Sequence, residues 1–422
     1  MPFMQKKKKK LDAQRLPQTA VAVESDHADE FLDNTMKVVG NFGFQQILLP
    51  PVEERRPFAA SPILARMYGD KLLAVPRHGN EDMIVAPTKI PAVINRYLAN
   101  VKNFGPHVSK WFHVSPVLRY DSDGYKTAHE IGLFVLGEDS ALASAQLINT
   151  TAEILRELGI AEFTVQINSL GCPACQNIYQ DLLSSHLARD AKQLCRECEA
   201  DFERNPLVLW NCATGSCRVI AEALPPIIDS LDTACKTTLT SVLESIDELN
   251  IPYTLNPSFI PQFLRHQVVF QFATADPAQS IGYGGNFSPL VLEMGGTAAT
   301  SMLGMITTFE QLLSFVPEER RRQGPKIEVF MVPLGSMAAR KALVLHRDLQ
   351  HSGILSAEAM LMSPSIKNQL KVAAEKKCEI ALIIGQKEAI DETVILRDMR
   401  SGMQEVFALE RIIEEVKKRL GK

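Results

Sequence analysis

From Ile327 to the C-terminus, short apolar runs alternate with stretches of helical periodicity, and this alternation constrains the fold more than any other feature of the chain. Residues 327–332, 357–362 and 379–385 read as strands. Met337–His351, closed by Gly353, and Ser365–Lys376 read as the helices between them. Residues 393–397 and 405–407 form an expected hairpin, and a final helix ends the chain. Neighbouring parallel strands must be joined by a crossover, so repeated strand–helix units of this length imply a small α/β domain around a mixed sheet. The polar, charged stretch Pro317–Gly324 is a linker candidate, which sets this domain at residues 325–422.

Upstream, the pattern is mixed. Phe31, Thr35, Val38, Val39 and Phe42 fall at helical spacing, and Gly43 ends that helix. Residues 44–49 and 83–86 read as strands stopped by prolines, with a helix at about 91–100. Trp111–Ser115 and Ile131–Gly137 read as two strands joined through the polar turn Asp121–Gly124. An amphipathic helix at 140–158 and a strand at 163–168 follow. Residues of about 170–245, mainly helical and rich in cysteine, interrupt this core as an insertion. Strands are expected again at 268–272 and 290–293, then a glycine-bearing helix near 297–315. The core thus spans 21–324, preceded by a basic tail at 1–20 that is expected to be disordered. Its run Lys6–Lys10 reads as a solvated tail or an RNA-tethering arm. No apolar stretch follows that run, which argues against a secretory leader and for a cytoplasmic protein.

Charged residues make up 22% of the chain and the net charge is −4, a balance unlike that of a bulk polyanion binder. Residues 326–422 carry a mild net positive charge of +3, and the remainder is acidic. No apolar window is long enough for a membrane helix.

Cys195-x2-Cys198-x13-Cys212-x4-Cys217 has the spacing of a zinc ribbon. A helix from 195 to 204 would travel out roughly 15 Å, and an extended 206–211 would return roughly 20 Å, bringing Cys212 back to the first pair. Four thiolates would leave no open coordination position, so the zinc would be structural; the alternative is four reduced, buried thiols. Cys172 and Cys175 read as bystanders or a second half-site, and Cys235 and Cys378 stand alone.

Several segments, in order, resemble the histidyl-tRNA synthetase family of class II aminoacyl-tRNA synthetases. Gly43–Glu53 resembles the first motif, whose proline lies at the dimer interface in that family. Leu118–Asp121 with His129–Gly132 and Val135–Gly137 resembles the second motif's strand–loop–strand. Asn168–Gly171, Leu194–Cys198 and Asn205–Leu207 resemble the insertion of many bacterial members, and Val332–Gly335 the opening strand of the anticodon-binding domain. The resemblance covers about 400 residues. It implies a class II antiparallel sheet with helices, a helical cysteine-rich insertion, a C-terminal α/β anticodon-binding-like domain and a homodimer formed around Pro50.

The chemistry implied by the resemblance is largely missing. Activation of an amino acid by ATP and Mg needs cations on the triphosphate and acids around the substrate ammonium. Arg119 and Asp121 stand where the second motif has Arg-x-Glu, as a remnant of nucleotide binding or as a surface ion pair on a strand end. Phe309-Glu310-Gln311 replaces Leu-Glu-Arg, so the third-motif cation is gone. Residues 86–90, Ala-Pro-Thr-Lys-Ile, replace Arg-Pro-Glu-Gly-Thr. Glu130 replaces a glutamine and Phe134 a glutamate. The stretch Phe259–His266 lacks the histidine-specific arginine, since Arg265 falls four residues downstream. Gly284 and Gly285 survive, but Asn286, Phe287 and Ser288 replace the family's Arg-Tyr-Asp.

These losses point to a non-catalytic relative that binds tRNA, another structured RNA or a protein partner. Arg340, Lys341, Arg347, Lys371, Arg397 and Arg400 are the candidate phosphate contacts, with Phe330 and Phe407 the only aromatics of the C-terminal domain. Two alternatives remain open. One is a weak or divergent ligase for another carboxylate, kept alive by Arg119 and Asp121. The other is a regulatory subunit resembling the synthetase-like partner of ATP phosphoribosyltransferase, a family that normally lacks the C-terminal domain this chain carries.

Overall fold

The computed structural model describes residues 28–422 apart from 76–81, 106, 122–123, 188–193, 202–205, 213, 262–263, 265, 275–278, 322–326 and 359–364. The basic run and Arg265 therefore lie outside the described residues. The chain divides into two compact units, 31–318 and 319–422.

The first unit is built on an eight-stranded sheet. Its strands lie in the order Gln45–Gln46, Ser109–Asp121, Gly124–Leu136, Met302–Thr308, Ser280–Asn286, Val268–Ala273, Thr164–Ser169, Tyr253–Leu255. The six central strands pair antiparallel, and the two short edge strands join in parallel. Side-chain alternation decides which face is which. Phe112, Ile131, Leu133 and Val135 enter one core with the helix Ala141–Glu157 and the helix Thr233–Glu248. Trp111, Phe134 and Leu136 enter a second core on the opposite face, against the helix Ile90–Phe104. A separate three-stranded sheet joins Val52–Glu54, Met83–Val85 and Leu73–Val75.

Three local expectations need correction. Residues 290–293 belong to the helix Ser288–Glu293 rather than to a strand. Pro289 suits the first helical turn, and Asn286 accepts the Ser288 amide through its side-chain oxygen at 2.8 Å. The helix expected near 297–315 is the strand Met302–Thr308 followed by the helix Phe309–Phe315. That strand is buried along its whole length, so it carries no period-two signal to separate it from a helix. The expected 44–49 strand contracts to Gln45–Gln46 at the sheet edge.

The second unit has a five-stranded sheet in the order Ser356–Glu358, Val329–Pro333, Ile380–Ile384, Thr393–Asp398, Gln404–Ala408. The first three strands run parallel and the hairpin is antiparallel. Val329, Met331, Leu382 and Leu396 pack with the helix Ser336–His351 and the helix Ile412–Leu420. Phe330, Val332, Ala381 and Ile383 pack on the other face with Ala373 of the helix Ile366–Glu375. This is the mixed α/β sheet expected from the alternation of strand and helix.

Candidate functional site

The long hairpin sets the register of the candidate nucleotide and amino-acid site. Ser115 lies opposite Glu130 and Trp111 opposite Phe134; Met302–Thr308 then places Gly304 beside Phe134 and Thr308 beside Glu130. The side chain of Glu130 is fully buried. It accepts the Lys89 backbone amide at 2.7 Å, and Arg119 reaches its other oxygen at 3.3 Å. Burial raises the Glu130 pKa, a shift opposed by Arg119 and by the hydrogen bonds from Lys89 and Thr88.

Lys89 fills this region from within. Its side chain is wholly buried, and Nζ donates to Glu53 at 2.9 Å and to the carbonyl of Pro50 at 2.7 Å, with the Pro51 carbonyl at 3.4 Å. Burial pushes the Glu53 carboxyl up to about 7, against the attraction of Lys89. His113 stacks on Phe134 at 5.8 Å, with both ring nitrogens buried and without a hydrogen-bond partner. Burial, assisted by the Lys89 charge, lowers its pKa to about 3, so the ring is neutral. Phe134 is itself fully buried and contacts Phe287 edge-on. A Cβ on Gly304 would stand 2.7 Å from the Phe134 ring, so the glycine is what admits the phenylalanine.

At the position expected to match the third motif, the Gln311 amide donates to the carbonyl of Ser280. The neighbouring Glu310 carboxylate binds the His129 backbone amide and ring, with Oε1 at 2.7 Å from Nδ1. Of the candidate pair Arg119 and Asp121, Arg119 is 41% exposed and engaged by Glu130; only the backbone of Asp121 is described. The sequence reading named Glu130 as a replaced residue but missed the Lys89–Glu53 pair and His113. The only sequence signal for them was a lysine in an otherwise apolar stretch.

The four cysteines expected to bind zinc do converge. The ligand atoms of Cys195, Cys198, Cys212 and Cys217 all lie within 4.8 Å of one another, and the Cys195 and Cys212 sulfurs are 3.8 Å apart. The route differs from the expected one: the helix is Arg196–Asp201, and 206–211 is a 3-10 helix rather than extended chain. The Cys198 backbone amide helps draw the Cys195 thiol down to about 6, while burial pushes Cys198 and Cys217 up. A second group, Cys172, Cys175, Asp232 and Cys235, also brings its ligand atoms within 4.8 Å. Cys172 and Cys175 therefore lie beside Cys235 rather than apart from it. Both groups could hold a metal ion.

In the C-terminal unit the six basic candidates do not form one patch. Arg340, Lys341 and Arg347 lie on the helix Ser336–His351, on one side of the sheet. Lys371 lies on the helix Ile366–Glu375 on the other side. Arg397 shares the strand face of Ile395, also on the Lys371 side, and Arg400 lies in the turn that follows. Lys341 pairs with Glu392 at 2.8 Å, Arg347 with Asp348 at 2.8 Å and Lys371 with Glu375 at 3.7 Å. Phe330 is core, and Phe407 packs against the core beneath Arg419, so neither offers a free stacking face.

The antiparallel sheet, the cysteine-rich insertion and the C-terminal α/β unit together define a class II aminoacyl-tRNA synthetase fold, and residues 328–419 match the family described as Anticodon binding domain. The structure of apo S. aureus histidyl-tRNA synthetase superposes with a TM-score of 0.75 at 21% identity, covering 95% of this chain and 97% of that one. A Bacillus halodurans structure titled as an ATP phosphoribosyltransferase regulatory subunit/histidyl-tRNA synthetase gives a TM-score of 0.59 at 14% identity, covering 85% and 94%. A Histidine--tRNA ligase of Desulfitobacterium hafniense is 28% identical over 399 residues, covering 91% of this chain and 92% of its own length. Over nearly its whole length the chain is thus similar to histidyl-tRNA synthetases. Among the described residues, no helix is long and apolar enough to cross a membrane.

Proposed function

We propose that this chain is a histidyl-tRNA synthetase relative that forms no histidyl-adenylate and binds tRNA through its anticodon-binding domain. One observation carries the first half. The stretch that in the family receives the substrate ammonium supplies an ammonium of its own, Lys89, buried and held by Glu53. The acid nearest the second-motif arginine, Glu130, is already engaged by Arg119 and the Lys89 amide. A substrate would have to break these contacts, and the polar groups left unpaired would oppose its binding. Gln311, bound to a backbone carbonyl, supplies no cation for a γ-phosphate.

The match of residues 328–419 supports the tRNA half. With no free aromatic platform in that unit, recognition rests on phosphate contacts from Arg340 and Arg347 and on backbone groups, so affinity should fall steeply with salt. Leu48, 82% exposed in the first-motif segment, supports a homodimer that covers it. A structural zinc on Cys195, Cys198, Cys212 and Cys217 completes the reading, in a cytoplasmic protein. The test is pyrophosphate exchange with ATP and each amino acid, alongside filter binding of total tRNA across a salt series. No exchange with histidine and salt-sensitive binding that Arg340→Glu with Arg347→Glu reduces are expected. Histidine-dependent exchange would refute the first half, and tRNA affinity no better than for an unrelated polyanion the second. The half-exposed Arg119 favours one competing reading, a ligase for another carboxylate, which exchange with a different amino acid would reveal.

A further inference from the structure

The second cysteine group lies at the base of the insertion. Cys172 and Cys175 follow the strand Thr164–Ser169, at the start of the helix Pro173–Leu187. Asp232 caps the helix Thr233–Glu248, which closes the insertion, and Cys235 lies in its first turn. The chain is thus brought back to the same point after 60 residues.

The donor geometry is that of a coordination sphere. With zinc–sulfur bonds of about 2.3 Å and zinc–oxygen bonds of about 2.0 Å, a tetrahedral ion sets sulfurs about 3.8 Å apart and sulfur–oxygen pairs about 3.5 Å apart. The Cys172 and Cys175 sulfurs are 3.6 Å apart, and Cys172 Sγ is 3.3 Å from Asp232 Oδ2. Asp232 divides its two oxygens. Oδ1 accepts the Cys235 amide at 2.7 Å as the helix cap, which leaves Oδ2 directed at the sulfurs. The Asp232 amide points at Cys175 Sγ at 3.2 Å, as backbone amides do toward metal-bound thiolates. Cys175 and Cys235 are buried and Cys172 is partly exposed, leaving an entry side. Gly171, at φ +66°, lies against this group, where a Cβ would stand 2.5 Å from the Cys175 Cβ. The chain must therefore turn tightly to deliver the first two donors.

We propose that Cys172, Cys175, Cys235 and Asp232 Oδ2 form a second structural site for a zinc-class divalent cation, which fastens the two ends of the insertion to the core. The site is distinct from the four-thiolate group within the insertion, and it does not depend on whether the chain activates an amino acid. The negative charge of three thiolates and a carboxylate is partly offset by the two helix N-termini that converge there. Filling all four positions leaves none for substrate or water, so the role is to hold structure.

The test is metal analysis of the full-length chain purified under reducing conditions, with chelator depletion and reconstitution by zinc or cobalt alone. Two ions per chain are expected, one for each donor group. Cys212→Ser should leave one ion, and Cys235→Ser should leave the other. Asp232→Asn keeps the helix cap, and so guards against simple misfolding. It should weaken one ion by about tenfold or more and alter the visible spectrum of one bound cobalt only. A wild-type chain that takes up a single ion, lost with Cys212→Ser and unaffected by Asp232→Asn, would overturn the proposal. So would a Cys172–Cys175 disulfide forming in air while the chain's full metal content is retained.

Discussion

Replacing Lys89 by methionine tests whether the buried Lys89–Glu53 pair holds this part of the core together. Methionine nearly matches the length of the lysine stem but removes the charge and the donors to Glu53 and to the Pro50 and Pro51 carbonyls. Breaking a buried pair by deleting one partner typically costs about 3–5 kcal/mol, and Lys89 and Glu53 are both buried. The pH dependence provides a sharper check. Lys89 is what holds the Glu53 pKa down, and burial already raises it to about 7 in the native chain. Without Lys89 it rises further, so the folded variant keeps a proton that the unfolded chain releases above its ordinary carboxylate range. Stability therefore falls as pH rises through that window, and the deficit of Lys89→Met should be smaller at pH 5 than at pH 8. Adding Glu53→Gln should recover about 1–3 kcal/mol of the pH 8 deficit through the coupling of the two sites. The assay is urea unfolding of the native chain, both single variants and the double variant at both pH values. A deficit below about 1 kcal/mol, or one independent of pH with no recovery in the double variant, would refute the reasoning.

Further outcomes follow from neighbouring groups. His113→Phe should remove a loss of stability on acidification: the folded-state pKa is lowered to about 3, so the unfolded chain alone takes the proton as pH falls below its ordinary value. Denaturation of both chains at pH 4 and pH 7 should show the native chain losing stability relative to the variant on acidification, by on the order of several kcal/mol, with the opposite contribution of Glu53 common to both. Gly304→Ala should cost about 1–3 kcal/mol in thermal unfolding, because its Cβ would meet the Phe134 ring at 2.7 Å and Phe287 at 2.8 Å. Gln311→Arg adds a cation at the position compared with the third motif yet, on the proposed function, should yield no histidine-dependent pyrophosphate exchange, since Lys89, Glu53 and Glu130 keep their buried contacts. Exchange with that single change would show that these contacts do not block substrate.

The sequence by itself was enough for everything that repeats locally. The alternation after Ile327 shows the C-terminal sheet and its helices, and the turn at Asp121–Gly124 shows the long hairpin. The ordered motifs reveal the similarity to histidyl-tRNA synthetases, and the spacing of Cys195, Cys198, Cys212 and Cys217 reveals one group that could hold a metal ion. Local periodicity failed where its signal vanishes, at the doubly buried Met302–Thr308 strand and the short Ser288–Glu293 helix. The remainder depends on residues far apart in the chain. Lys89 meets Glu53 across 36 positions and Glu130 across 41, while Asp232 reaches Cys172 across 60. Which charges are satisfied, which are desolvated and which thiols share a donor sphere depend on which segments the folded core brings together. The basic residues of the C-terminal unit make the same point in reverse. They look like one set along the chain, but the sheet between their helices separates them onto two faces.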